Sequence, residues 1–283
     1  MTRRPFGWTG AQVPVIGQGT WMIEGSPDAE HRAIEALRAG IRLGLTHIDT
    51  AEMYGGGRAE ELAGEAISGR RDEIFLVSKV LPSNASYEGT LRACERSLQR
   101  LGTDRLDLYL LHWESDHPIG ETMRAMERLI DDGQIRFAGV SNFDADQVRA
   151  AQSALRNHKL ASNQVLYHLG ERGIERKLIP YCQAQGIALV GYTPFGREKF
   201  PRRNSAGGRV LEEIAKRHGR TVRQVILNFL TRLDGVFTIP KAGSPEHTQE
   251  NAGSAGWALP AEDIAAIDRV FPAPTRDVPL AML

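Results

Sequence analysis

Short runs rich in valine, isoleucine, leucine and tyrosine recur along the chain at Val15–Trp21, Thr46–Asp49, Ile74–Val80, Leu106–His112, Ile135–Asn142, Ala161–Tyr167, Ile187–Pro194 and Gly235–Lys241. Between them lie stretches whose apolar residues recur at helical spacing, such as Ile34/Leu37/Ile41, Leu91/Cys94/Leu98 and Val222/Val225/Ile226. Strand alternating with helix at about 30-residue intervals is the βαβ pattern, because parallel strands need a long crossover and a helix supplies it. Leu106–Leu111 is apolar on nearly both faces, as suits a strand between a barrel interior and an outer ring of helices. Eight such units without a linker or composition break predict one α/β domain over residues 1–283, a (β/α)8 TIM barrel. Phe6–Ile16, with Thr9-Gly10 at its centre, predicts an N-terminal β-hairpin, and extra helices are expected near the C-terminus. Ser26-Pro27-Asp28 reads as a helix start and Gly44 as the end of that helix.

Composition narrows the function classes. The 283 residues carry 35 basic and 35 acidic side chains, so no long basic surface is expected for nucleic acid or anionic lipid. No run of apolar residues reaches membrane-spanning length and the N-terminus turns polar early, which suggests a soluble, cytoplasmic protein. Cys94 and Cys182 fall at apolar helical positions and read as buried free thiols. His47, Asp49 and His112 lack a completing ligand, so no metal is expected.

In a barrel of this kind, polar residues at the carboxyl ends of strands face the active site. Asp49 ends the second strand and Tyr54 follows it. Lys79 lies in the third and His112-Trp113 ends the fourth. Ser141-Asn142 ends the fifth, and Gln164 lies in the sixth. Singly, each has an ordinary structural explanation. Together they suggest a relay. A tyrosine titrates near ~10 in water, and a neighbouring ammonium is expected to lower that value. Asp49 would hold Lys79 charged, and His112 would offer a hydrogen bond to a carbonyl oxygen, an arrangement suited to carbonyl reduction.

These residues carry a resemblance. Gly44–Tyr54, with its aspartate and tyrosine five positions apart, resembles the aldo-keto reductase signature. Phe75–Val80 and Leu108–Trp113 are similar to that family's lysine and histidine strands, and Gly139–Phe143, Asn163–Val165 and Ile239–Lys241 to its cofactor segments. Ile16–Trp21 with Asn163–Gly170 looks most like small bacterial members of the methylglyoxal reductase type. The resemblance implies NAD(P)H-dependent reduction of small carbonyl compounds, with Tyr54 as proton donor, Asp49 and Lys79 as its tuners and His112 as carbonyl orienter. Ser141, Asn142 and Gln164 would hold the nicotinamide carboxamide, and Tyr192 would stack on the ring. Gly19, Thr20, Trp21, Asp49, Thr193, Pro194, Phe195 and Gly196 would complete that end of the cofactor site. Trp21, Tyr54, His112 and Trp113 would line the substrate pocket. A rival reading on the same barrel is a non-catalytic NADP(H)-binding regulatory subunit.

After the last strand, Lys241-Ala242-Gly243-Ser244-Pro245 reads as a helix start beside a lysine, a setting suited to phosphate. By resemblance, Lys241 and Ser244 would meet the adenosine 2′-phosphate, and Glu250 and Asn251 the adenine. His247 stands where the family usually has arginine. A histidine lacks the planar guanidinium fork, so NADPH is expected over NADH by a reduced margin. The rim is expected from Glu114–Gly120, Arg197–Gly208 and Pro272–Leu283, which are short enough to favour small substrates, and nothing in the sequence calls for more than a monomer.

Overall fold

The computed structural model describes residues 1–283. A short antiparallel hairpin, β1 (Arg3–Pro5) with β2 (Gln12–Pro14), turns through a 3-10 segment that ends at left-handed Gly10. Eight parallel strands then follow in neighbour order: β3 (Gln18–Gly19), β4 (His47–Asp49), β5 (Phe75–Val80), β6 (Leu106–Leu111), β7 (Ile135–Ser141), β8 (Leu160–Leu166), β9 (Ala188–Tyr192) and β10 (Val236–Thr238). Parallel bridges Ile16–Thr238 and Gly19–Lys241 join the first strand to the last and close the barrel. All eight predicted strands are present, though the first keeps only two ladder residues. At Gly19 a side chain would meet the Ile239 carbonyl oxygen at 2.7 Å, so closure there needs glycine.

Helices surround the barrel: α1 (Pro27–Arg42), α2 (Arg58–Ile67), α3 (Tyr87–Leu101), α4 (Ile119–Asp131), α5 (Ala145–Ala154), α6 (Leu178–Gln185), α7 (Ala206–His218) and α8 (Val222–Leu230), with α9 (Pro245–Ala252) and α10 (Ala261–Val270) after the last strand. The local signals act as read. Ser26 Oγ accepts the Ala29 amide at the start of α1, and Gly44 takes φ +88° just past its end. One apolar layer lies between strands and helices and includes both buried cysteines. A second fills the barrel, where Phe6 of the hairpin packs on Phe75 and Phe237 at 4.8 and 5.0 Å between ring centres. The hairpin therefore stoppers the end from which the strands start and leaves the opposite mouth open. No helix is long and apolar enough to cross a membrane.

Candidate active site

Tyr54 lies in the loop after β4, and the three glycines that follow it turn the chain into α2. Gly55, Gly56 and Gly57 take φ of +57°, +62° and +99°, a left-handed run that other residues adopt only with strain. From the adjacent β5, the fully buried Lys79 extends its ammonium between three acceptors. Its Nζ donates to Asp49 Oδ1 at 2.5 Å, to the Thr50 carbonyl at 2.8 Å and to Tyr54 Oη at 3.3 Å. An ammonium has three protons, so Lys79 is saturated. Tyr54 Oη accepts from it and keeps its own proton free for the cavity. Gln164 Nε2 donates to Asp49 Oδ2 at 2.6 Å and fixes the carboxylate from the far side of the barrel.

The electrostatics differ in one respect from the expectation for tyrosine. Burial raises the Tyr54 phenol above its ordinary value and outweighs the downward pull of Lys79, so the phenol is a neutral donor. Burial opposes the charge on Lys79, but Asp49 and Tyr54 more than offset it and the ammonium is held. Burial likewise pushes the Asp49 carboxyl up, against Lys79 and Gln164, which favour its ionised form. His112 sits just past β6 with its ring centre 5.7 Å from that of Tyr54, nearly edge-on at 73°. Burial, followed by Lys79, lowers the imidazole to about 2, so it is neutral. Its Nδ1 is buried without a partner. A proton on Nε2 avoids burying a bare N–H and presents a donor to the cavity.

These groups open into a cavity of about 350 Å³ lined by 20 residues. Gly19, Thr20, Trp21, Asp49, Tyr54, His112, Trp113, Ser141, Asn142, Gln164, Tyr192, Thr193, Pro194, Phe195 and Lys241 all line it. Lys79 is adjacent but buried behind Tyr54. Gly196 lies beneath the wall, where a side chain would meet His168 at 3.1 Å. Met22 and Met53 also line the cavity and were not singled out from the sequence, and Ile239, the first residue of the Ile239–Lys241 segment, lines it too. The position of Met22 after Trp21 and of Met53 before Tyr54 was the available signal. Four non-glycine residues in the chain take left-handed backbone, Met22, Asn142, Thr193 and Arg197, and all four face this cavity. Strain of that kind persists where surrounding structure enforces it, commonly at functional sites.

The rim is smaller than expected. Arg197 and Leu283 reach the cavity from two of the anticipated segments, whereas Glu114–Gly120 does not line it. Glu114 of that segment accepts from Gln147 Nε2 at 2.8 Å, and Ser115 donates to the Pro82 carbonyl at 2.8 Å, so it is held by α5 and by the loop after β5. The tail is anchored where Arg176 and Lys177 meet Asp277 at 2.6 and 2.5 Å. His47, two residues before Asp49, lies a layer deeper against Phe6 and Phe75 and takes no part in the mouth.

Ala242, Gly243, Ser244, His247, Glu250 and Asn251 lie outside the cavity, in and before the first turns of α9. Ser244 caps that helix, with its side chain accepting the His247 amide at 3.4 Å. Lys241 Nζ donates to the Met22 carbonyl at 3.0 Å and joins this region to the cavity wall. His247 is exposed and Asn251 is buried.

The profile described as "Aldo/keto reductase family" matches residues 15–271. Methylglyoxal reductase YeaE of Escherichia coli is 44% identical over 96% of this chain and 95% of its own length. Glyoxal reductase of Bacillus subtilis is 38% identical over 92% of this chain and 89% of its own. A crystal structure of an aldo/keto reductase from Klebsiella pneumoniae in complex with NADP and acetate superposes with a TM-score of 0.94 at 43% identity, covering 100% of this chain and 99% of that one. A closed parallel barrel, a lysine-bound tyrosine beside a neutral histidine, and these likenesses across nearly the whole chain place the protein in the aldo/keto reductase family.

Proposed function

We propose that the protein reduces small aldehydes and ketones, methylglyoxal-like dicarbonyls and aromatic aldehydes among them, to alcohols with NADPH. The observation that carries this reading is the proton arrangement at the mouth: a neutral phenol whose oxygen is already bound by a saturated lysine, beside a neutral imidazole, both opening into one cavity. The relatives named as methylglyoxal and glyoxal reductases, and the neighbour crystallised with NADP, agree with it.

The polar groups fit a nicotinamide. Asn142 is fully engaged, since its Nδ2 donates to the His112 carbonyl at 3.1 Å and to Ser141 Oγ at 3.3 Å, while its Oδ1 accepts from Tyr192 Oη at 2.8 Å. That leaves the Ser141 hydroxyl proton as a donor and Gln164 Oε1 as an acceptor, the pair a carboxamide requires. Tyr192, held by Asn142, offers a flat aromatic wall for the ring. Thr193–Gly196, Gly19, Thr20 and Asp49 would frame this end, and Lys241–Ser244, His247, Glu250 and Asn251 the adenosine end. When bound, NADPH supplies the hydride. The chain's own residues do the rest. His112 Nε2–H orients the carbonyl oxygen and lowers the cost of charge on it. Tyr54 Oη passes its proton to that oxygen, and Lys79 stabilises the phenolate left behind. Trp21, Trp113, Met22 and Met53 exclude water and suit short, partly apolar substrates.

The test is a panel of neutral aldehydes, ketones and dicarbonyls, each incubated with NADPH or NADH while reduced-nicotinamide absorbance is followed. Turnover of small dicarbonyls with NADPH is expected. A protein that binds NADPH tightly but reduces none of the panel would be the regulatory subunit, and the proposal would be wrong.

A further inference from the structure

We propose that Arg223 supplies a guanidinium that grips the cofactor's 2′-phosphate; this rests on the NADPH reading above. Arg223 is the second residue of α8, exposed, and its guanidinium lies over two rings, 4.6 Å from the centre of Phe195 and 5.0 Å from that of Phe200. Phe195 lines the main cavity, so Arg223 lies directly behind the wall along which the cofactor would run. On its other side it shares a groove with Glu250, and the adjacent Gln224 donates to the Glu250 carbonyl at 3.0 Å. Arg223 thus adjoins Phe195 of the cavity wall on one side and Glu250 of the proposed adenosine end on the other.

Three further features point to a phosphate. Arg223 forms no ion pair, unlike Arg203 nearby, which meets Glu212 at 3.5 Å. It lies in the first turn of α8, which holds no acidic residue and where the helix dipole disfavours a cation. A phosphate oxygen would relieve that unfavourable placement. Stacking on two rings orders the side chain while leaving N–H edges free, the geometry that bidentate phosphate recognition uses. The other cations of the groove are less suited. Arg220 stacks at 5.4 Å on Trp257, which does not line the cavity, and Lys216 belongs to the last turn of α7. His247, exposed in the first turn of α9, offers one ring nitrogen rather than a fork.

Binding constants test this without turnover, read as quenching of tryptophan fluorescence, since Trp21 and Trp113 line the cavity. NADPH, NADH, adenosine 2′,5′-bisphosphate and ADP are titrated into the wild type, Arg223→Ala, Arg223→Lys and His247→Ala. Arg223→Ala is expected to weaken NADPH and the bisphosphate by about 10-fold or more, the loss of a charge-assisted hydrogen bond, with NADH and ADP within about 3-fold. Arg223→Lys is expected to recover part of the loss, and His247→Ala to weaken NADPH less than Arg223→Ala does. Equal weakening of NADPH and NADH by Arg223→Ala would mean that Arg223 only pins the Phe195–Phe200 segment and would overturn the proposal. So would unchanged binding, or discrimination lost in His247→Ala instead. A failure of the carbonyl panel leaves these constants readable, so the two readings fail separately.

Discussion

Lys79 has no hydrogen-bonding capacity to spare, and that saturation directs the Tyr54 proton toward the cavity. It also makes Asp49 structurally expensive to alter. Asp49→Asn leaves a buried ammonium without its counter-charge, and breaking such a pair costs about 3–5 kcal/mol; urea denaturation is expected to show a loss of that size. The same shifts fix the pH profile of turnover. With the His112 imidazole lowered to about 2 and the Tyr54 phenol raised above its ordinary value, neither group changes protonation between pH 6 and 9. Carbonyl reduction at saturating cofactor is expected to show no inflexion from His112 in that range. An inflexion near pH ~6.5, the ordinary histidine value, that vanishes in His112→Gln would contradict the assignment of a neutral imidazole.

At the scale of elements, the barrel separates stability from chemistry. Phe6 fills the starting end and the proposed catalytic side chains occupy the other. Phe6→Ala is expected to lower stability by about 3–5 kcal/mol through the cavity it leaves, while KM for a good carbonyl substrate stays within about 2-fold. A large KM change in folded protein would show the two ends to be coupled. Strands such as Leu106–Leu111 were legible because a strand covered on both faces is largely apolar, and the start of α1 because Ser26-Pro27 is a local capping signal. The reduction of the first strand to Gln18–Gly19 was not legible, since it follows from how β10 meets it at closure. That Glu114–Gly120 does not line the cavity was hidden for the same reason: Gln147 and Pro82, which hold it, are distant in sequence.

Across the whole molecule, three histidines are buried in neutral form. Burial, with Lys79 next, lowers His47 to about 3 and His112 to about 2, and burial with Lys199 lowers His168 to about 4. Their folded values lie below the unfolded value of ~6.5, so below that pH the unfolded chain binds more protons. Stability is therefore complete above pH ~6.5 and falls as pH drops toward 4 and below. Chemical denaturation at stepped pH is expected to show that decline, with a shallower slope in His47→Leu; an unchanged slope would remove His47 from the cause. Which residues gather at the mouth was legible, because strand-end positions in a barrel converge. Their protonation was only partly so. Burial, which reverses the expected shift of Tyr54, is a property of the packed molecule, as are the left-handed backbones at Met22, Asn142, Thr193 and Arg197.

The central claim is that Tyr54 delivers the proton. Its most direct measurement is a single-turnover reaction of preformed NADPH complex with methylglyoxal, comparing wild type and Tyr54→Phe, alongside the dissociation constant for NADPH. The rate is expected to fall by about 10²–10⁴-fold, the usual worth of a positioned general acid, with the dissociation constant within about 2-fold of wild type. A phenylalanine variant that turns over at near the wild-type rate would contradict it.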